Sequence, residues 1–207
     1  MQRKHESHEQ RKSLTRERLL AAAREVFIEK GFASASVQDI VEAAGYTRGA
    51  FYSSFGNKAT ILLELLRRDH DRTLAHLHAI QQLHSTRAGI ESRCVTDCCR
   101  FIYDSDCFPL WVDAMLLAMR ETHMRDDFNA LCGQKLEQIR AYIGILSNQT
   151  GMPLGASVES LALGLLSLCE GLQFLRLCDP ETVSDEATQA NVGRYLGDEQ
   201  GKRNVLS

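Results

Sequence analysis

At 207 residues with 44% hydrophobic content, the chain can bury a full core, either as one compact domain or as a small domain fused to a larger one. Only three prolines and long apolar runs at helical spacing favour an all-α protein over one built on a sheet. A formal net charge of −3 announces no polyanion partner globally. The distribution is uneven, with 10 Lys and Arg against 7 Asp and Glu in residues 1–60 and 14 against 20 in the rest. A basic head on an acidic body directs one end of the molecule toward phosphate.

Met1 to Lys12 is polar and is read as a mobile basic arm, with Arg3, Lys4, Arg11 and Lys12 within reach of DNA phosphate. There is no apolar N-terminal signal segment and no apolar run long enough to cross a bilayer, so the chain is expected to be cytoplasmic, without a membrane partner. The seven cysteines should then be mostly reduced thiols, and none shows paired Cys-x-x-Cys zinc spacing. From Ser13 a first helix is predicted, with Leu19, Leu20, Ala23, Val26 and Phe27 on one face. Gly31 closes it and Phe32 packs back.

Ser36 to Phe55 carries the strongest signal. Ser36 is a good N-cap, Asp39 puts a carboxylate in the first turn, and Val37, Ile40, Val41 and Ala44 share one helical face. Gly45 ends that helix, and Thr47 caps a second one whose Ala50, Phe51 and Phe55 turn inward. Ser36, Gln38, Thr47, Arg48, Gly49, Tyr52, Ser53 and Ser54 are left as a donor-rich set suited to a major groove. Gly49 is a poor helix former, which suggests that a partner approaches too closely for a side chain. The blander alternative on the pattern alone is that two small helices around a glycine form the corner of a helical bundle.

From Thr15 to Leu66 the order of an amphipathic helix, Gly31-Phe32, Val-x-x-Ile, Ala44-Gly45, Thr47 to Tyr52, Phe55 and Lys58 resembles the DNA-binding domain of the TetR family of bacterial transcriptional regulators. The resemblance implies an N-terminal three-helix helix-turn-helix domain followed by a larger, all-helical ligand-binding and dimerisation domain. It also implies a phosphate contact at Lys58, which opens a helix after the Asn57 cap. Where many members carry an aromatic residue and a histidine, this chain has Ser53 and Ser54.

The expected divisions are a basic arm over 1–12, the helix-turn-helix domain over 13–56, the helical body over 57–197 and a tail over 198–207. The helix from Asn57 is long enough to connect the domains, and its His70, His76 and His78, with His84 just beyond, lack the spacing of a metal site. Further helices are expected over Ile90 to Ile102, after Pro109, from about Phe128 to Leu146, over Ser157 to Leu177, and over Ser184 to Leu196. Trp111, Met115, Met119, Tyr142 and Phe174, with His123 and Gln173 as polar groups, are the candidates for a small-molecule pocket.

The helix over Ser157 to Leu177 is apolar nearly all round and needs cover on more than one side. A homodimer is expected, with Leu161, Gly164, Leu165, Leu168, Gly171, Leu172, Leu175 and Tyr195 at the interface. No catalytic signature, metal site or cofactor motif is visible, and the partners expected are double-stranded DNA, a small-molecule effector and a second copy. The alternative switch on the same fold is oxidation of Cys94, Cys98 or Cys99.

Overall fold

The computed structural model describes residues 8–80, 87–103, 106–150 and 156–198. Their regular elements are all helical: α1 (His8–Lys30), α2 (Val37–Ala44), α3 (Arg48–Phe55), α4 (Lys58–Ile80), α5 (Arg87–Tyr103), α6 (Phe108–Arg120), α7 (Thr122–Thr150), α8 (Val158–Cys178) and α9 (Asp185–Asp198). They form two compact units, one of residues 8–69 with 106–130, the other of residues 70–80, 87–103, 131–150 and 156–198. His84 and most of the C-terminal tail lie outside the described residues.

The first unit is organised by α1, which starts at His8, before the expected Ser13. It buries Leu19, Leu20, Ala23, Val26 and Phe27. Gly31 ends α1 with φ 74°, a left-handed turn that costs glycine least. The ring of Phe32 then returns edge-on to Phe27, with centroids 5.4 Å apart. α2 adds Ile40 and Val41 to this core, and α3 adds Phe51 and Phe55. α6 also belongs to this unit, although the sequence assigns it to the helical body. Its Leu110, Trp111, Ala114 and Ala118 face inward, and Asp113 accepts the Phe32 N–H at 2.9 Å.

In the second unit α5 and α8 share a core of Cys98, Ile102, Leu165, Cys169 and Leu172, with Val183 and Val192 closing it from the α9 side. A second cluster joins α7 to the start of α8 through Ile143, Leu161 and Ala162. Ser157 caps α8 by accepting the Ser160 N–H at 3.2 Å. α8 is long and apolar enough to cross a membrane by length and composition, which corrects the expectation that no run is. Its inward face is Leu161, Leu165, Cys169 and Leu172, and its outward face carries Leu163, Phe174, Leu175 and Leu177, each more than half exposed.

That division corrects the expected dimer surface. Leu161, Leu165 and Leu172 lie in the chain's own core, and Leu168 packs against it. Tyr195 donates its hydroxyl to the Leu161 carbonyl at 3.0 Å, and a Cβ on Gly164 would overlap that hydroxyl. Gly164 and Tyr195 therefore serve the packing of α9 on α8. Of the expected set, only Gly171 and Leu175 are exposed.

Candidate nucleic-acid interface

Local chemistry explains how α2 and α3 are held. The Ser36 hydroxyl accepts the Asp39 N–H at 3.1 Å while Asp39 accepts the Ser36 N–H at 2.8 Å, a reciprocal capping box. Lys30 at the end of α1 reaches the other Asp39 oxygen at 2.8 Å, pinning the cap to α1. Gly45 follows in the left-handed region with φ 71°, and Thr47 caps α3 by accepting the Ala50 N–H at 3.3 Å.

The bonds from Lys30 and then from Ser36 hold the Asp39 carboxyl far below the usual carboxylate range. A depressed folded-state pKa means that this cap stabilises the fold above the ordinary aspartate pKa, near 4, and loses that contribution only as pH falls through its own lower value. Asp39→Asn should therefore flatten the acid limb of the unfolding curve below about pH 4. An unchanged acid limb in an acid titration of thermal stability would remove Asp39 from this role.

Phe51 and Phe55 point into the unit, and the opposite face of α3 presents Arg48, Gly49, Tyr52 and Ser53, with Thr47 at its head, all exposed. A Cβ on Gly49 would meet only the Thr47 hydroxyl oxygen, at 3.8 Å. Among the described residues nothing demands a glycine there, and the space over it is open. Ser53 is exposed but donates its hydroxyl to the Ala50 carbonyl at 3.0 Å, and Ser54 is half-buried at the edge of the stripe. On α2, Gln38 is exposed with its amide donated to Glu42 at 2.7 Å.

Two of the proposed contacts are engaged inside the protein. The Ser36 hydroxyl donates to Asp39 at 2.6 Å, so its proton is taken by the cap. Lys58 donates to the carbonyls of Phe32 and Ala35, the latter at 2.6 Å, with its ammonium 4.3 Å from the centre of the Phe32 ring. Burial lowers the pKa of that ammonium, with Asp113 and then Asp39 acting against the shift. Lys58 is thus a clamp on the turn between α1 and α2, where the sequence suggested a free phosphate contact.

Arg16 is a residue that the sequence reading passed over. Its guanidinium donates to the Ser54 carbonyl in the last turn of α3 at 2.6 Å and stacks 4.2 Å from the centre of the Phe55 ring. A cation there satisfies a terminal carbonyl and opposes the helix dipole. The signal was present in the periodicity, since Arg16 precedes Leu19, Leu20 and Ala23 on the buried stripe of α1.

The residues expected to line an effector pocket are divided between the two units. Trp111 belongs to the first unit, where its indole N–H donates to Asp69 at 3.2 Å and its ring meets Phe128 edge-on at 6.0 Å. Met115, Met119 and Phe174 are exposed, and so is the His123 ring. Tyr142 and Gln173 alone are buried in the second unit. The alternative thiol switch fares no better. Burial pushes Cys94 up to about 11 and raises Cys99, and a bond with Cys169 followed by burial raises Cys98. Reactive thiols sit in exposed sites that lower the pKa, the opposite arrangement.

A family model described as bacterial regulatory proteins, tetR family, matches residues 19–65. The chain is 35% identical to the HTH-type transcriptional regulator UidR of Escherichia coli over 79 residues, 38% of this chain and 40% of UidR, so the match spans less than half of that relative. Over nearly the whole length the fold is similar to that of a chain described as a transcriptional regulator from Saccharomonospora viridis, solved with choline. The TM-score is 0.73 at 22% identity, covering 92% of this chain and 100% of that one. It is also similar to SmeT, the repressor of the Stenotrophomonas maltophilia multidrug efflux pump SmeDEF, with a TM-score of 0.66 at 22% identity and 93% of each chain covered.

Proposed function

Since the chain belongs to the TetR family of transcriptional regulators, we propose that it is a homodimeric repressor that a small-molecule effector releases from an inverted-repeat operator. The observation that carries the DNA contact is the exposed face of α3, where Arg48, Gly49, Tyr52 and Thr47 are held by caps at both ends with open space over Gly49. Two such helices in a dimer must sit about 34–36 Å apart to enter successive major grooves. The outward face of α8, with Leu163, Gly171, Phe174 and Leu175, supports a second copy as its cover, because an apolar face of that size is costly in water. That cover also accounts for the apolarity of α8 without a membrane.

The effector acts in this reading by population shift. A ligand that prefers a body conformation with another helix spacing lowers operator affinity by its differential affinity for the two states and no more. The choline in the Saccharomonospora viridis structure supports a small-molecule effector as a class. No catalytic step is part of this function.

Selection of bound fragments from a random duplex library at one fixed salt concentration tests the proposal. Enrichment of an inverted repeat is expected, and enrichment of single half-sites or of nothing counts against a sequence-specific dimer. Arg48→Ala should lose about 1–3 kcal/mol on the selected operator while its binding to random DNA changes much less. Equal losses on both, read by fluorescence anisotropy, would remove Arg48 from base recognition.

A further inference from the structure

α3 has only eight residues, and its buried side chains are two phenylalanines, Phe51 and Phe55. Apolar burial keeps a short helix docked but specifies its tilt and roll only loosely, because that attraction has no direction. A hydrogen bond has one. The last carbonyls of α3 show where such a bond is made. Tyr52 accepts the Gly56 N–H at 3.0 Å and Phe55 accepts the Asn57 N–H at 2.9 Å, both from the chain's own continuation. Ser54 accepts instead from α1, through Arg16 Nη1 at 2.6 Å, and the same guanidinium lies 4.2 Å from the centre of the Phe55 ring.

Arg16 is itself held. Its Nη2 lies 3.4 Å from one Glu64 oxygen on α4, and Arg68 Nε lies 3.4 Å from the other. Arg68 in turn donates both Nη groups to the Glu17 carboxylate, a forked pair that returns the run of charges to α1 beside Arg16. Charges of alternating sign thus join α1 to α4 through Arg16, Glu64, Arg68 and Glu17, with Arg16 and Glu64 35% and 24% exposed. An isolated pair at such exposure would add little, whereas a network with a bidentate member fixes geometry. Among the described residues, Arg16 is the member of this network that reaches α3.

We propose that Arg16 is a positioning residue for base recognition: anchored by Glu64, it sets the attitude of α3 through the Ser54 carbonyl and so aims Arg48 at the bases. A tilt of α3 about its Ser54 end is carried to Arg48, six residues and about 9 Å along the helix axis. Base contacts have to be held within about 0.5 Å and 10–20°. Attraction to phosphate carries no sequence information and tolerates such a shift. Loss of Arg16 therefore costs selectivity before it costs attachment. This rests on the reading of the chain as an operator-binding regulator and names what orients its reading helix.

The test uses the full chain with Arg16→Met, Glu64→Gln and the two together, at a temperature where unfolding curves show each variant folded. Affinity is read on the operator that the parent chain selects and on a random duplex of equal length, over one series of salt concentrations. Arg16→Met should lower the ratio of operator to random affinity about tenfold or more, the size of one lost base contact, with the salt slope on random DNA unchanged. Glu64→Gln should lower the same ratio by a smaller factor, and the double variant should be no worse than Arg16→Met, because both act through one contact. The proposal is overturned if Arg16→Met shifts the unfolding curve but not the ratio, or if the two losses simply add. It is also overturned if the salt slope falls by about 0.9, which would make Arg16 itself a phosphate contact. Should Arg16→Met not fold, Glu64→Gln decides, since it keeps the Ser54 bond, and an unchanged ratio overturns the proposal. A parent chain that selects no operator sinks the regulator reading, whereas one that selects an operator with the ratio unmoved by these variants sinks the role of Arg16 alone.

Discussion

Trp111→Ala is expected to destabilise the unit that carries α1 to α3 by about 3–5 kcal/mol, the usual cost of truncating a large buried aromatic. Trp111 is 6% exposed, packs with Leu110 and Ala114 on the inner face of α6, meets Phe128 edge-on and donates its N–H to Asp69 on α4. Its removal leaves a cavity and takes away the bond to α4 together. Trp111→Phe keeps most of the volume and loses only the N–H, so it should cost much less. Denaturant unfolding of the full chain measures both, and operator affinity should fall with the folded fraction. A loss below about 1 kcal/mol for Trp111→Ala, with effector response changed instead, would restore Trp111 to a ligand pocket.

The elements fixed by local chemistry were legible in the sequence. The caps at Ser36 and Thr47, the glycine stops at Gly31 and Gly45, and the inner faces of α1 and α3 follow from residues a few positions apart, and the structure shows each of them. What was not legible is which side of an apolar helix faces its own core. In α6, Trp111, Met115 and Met119 repeat at helical spacing, but Leu110, Ala114 and Ala118 form a competing stripe. Trp111 joins that stripe, leaving Met115 43% and Met119 67% exposed. Nothing in periodicity alone ranks two apolar stripes on one helix, because the choice is made by what packs opposite. The same ambiguity turned Leu161, Leu165 and Leu172 inward on α8 and left Leu163 and Phe174 outside. Polar burial was equally hidden, since nothing in the sequence sets Asp97 and Lys135 apart from the charged residues of a surface, yet both are buried.

Lys58→Ala should cost about 2–4 kcal/mol of stability while leaving the salt dependence of DNA binding unchanged. The reasoning starts from the two carbonyls, Phe32 and Ala35, that this ammonium satisfies in the turn leading to α2. A hydrogen bond from a charged donor contributes about 1.5–3 kcal/mol, and two that share one half-buried ammonium contribute less than twice that. Lys58→Met retains the packing on Phe32 but not the bonds, so it should lose nearly as much as alanine if the bonds dominate. A phosphate contact would behave otherwise. Removing one lowers the slope of log affinity against log salt by about 0.9, with little effect on folding. Denaturant unfolding and a salt titration of operator binding on the same variant therefore separate the two roles. A slope reduced by about one with stability intact would mean that Lys58 leaves the Phe32 turn for the DNA backbone, and that the clamp belongs only to the free protein.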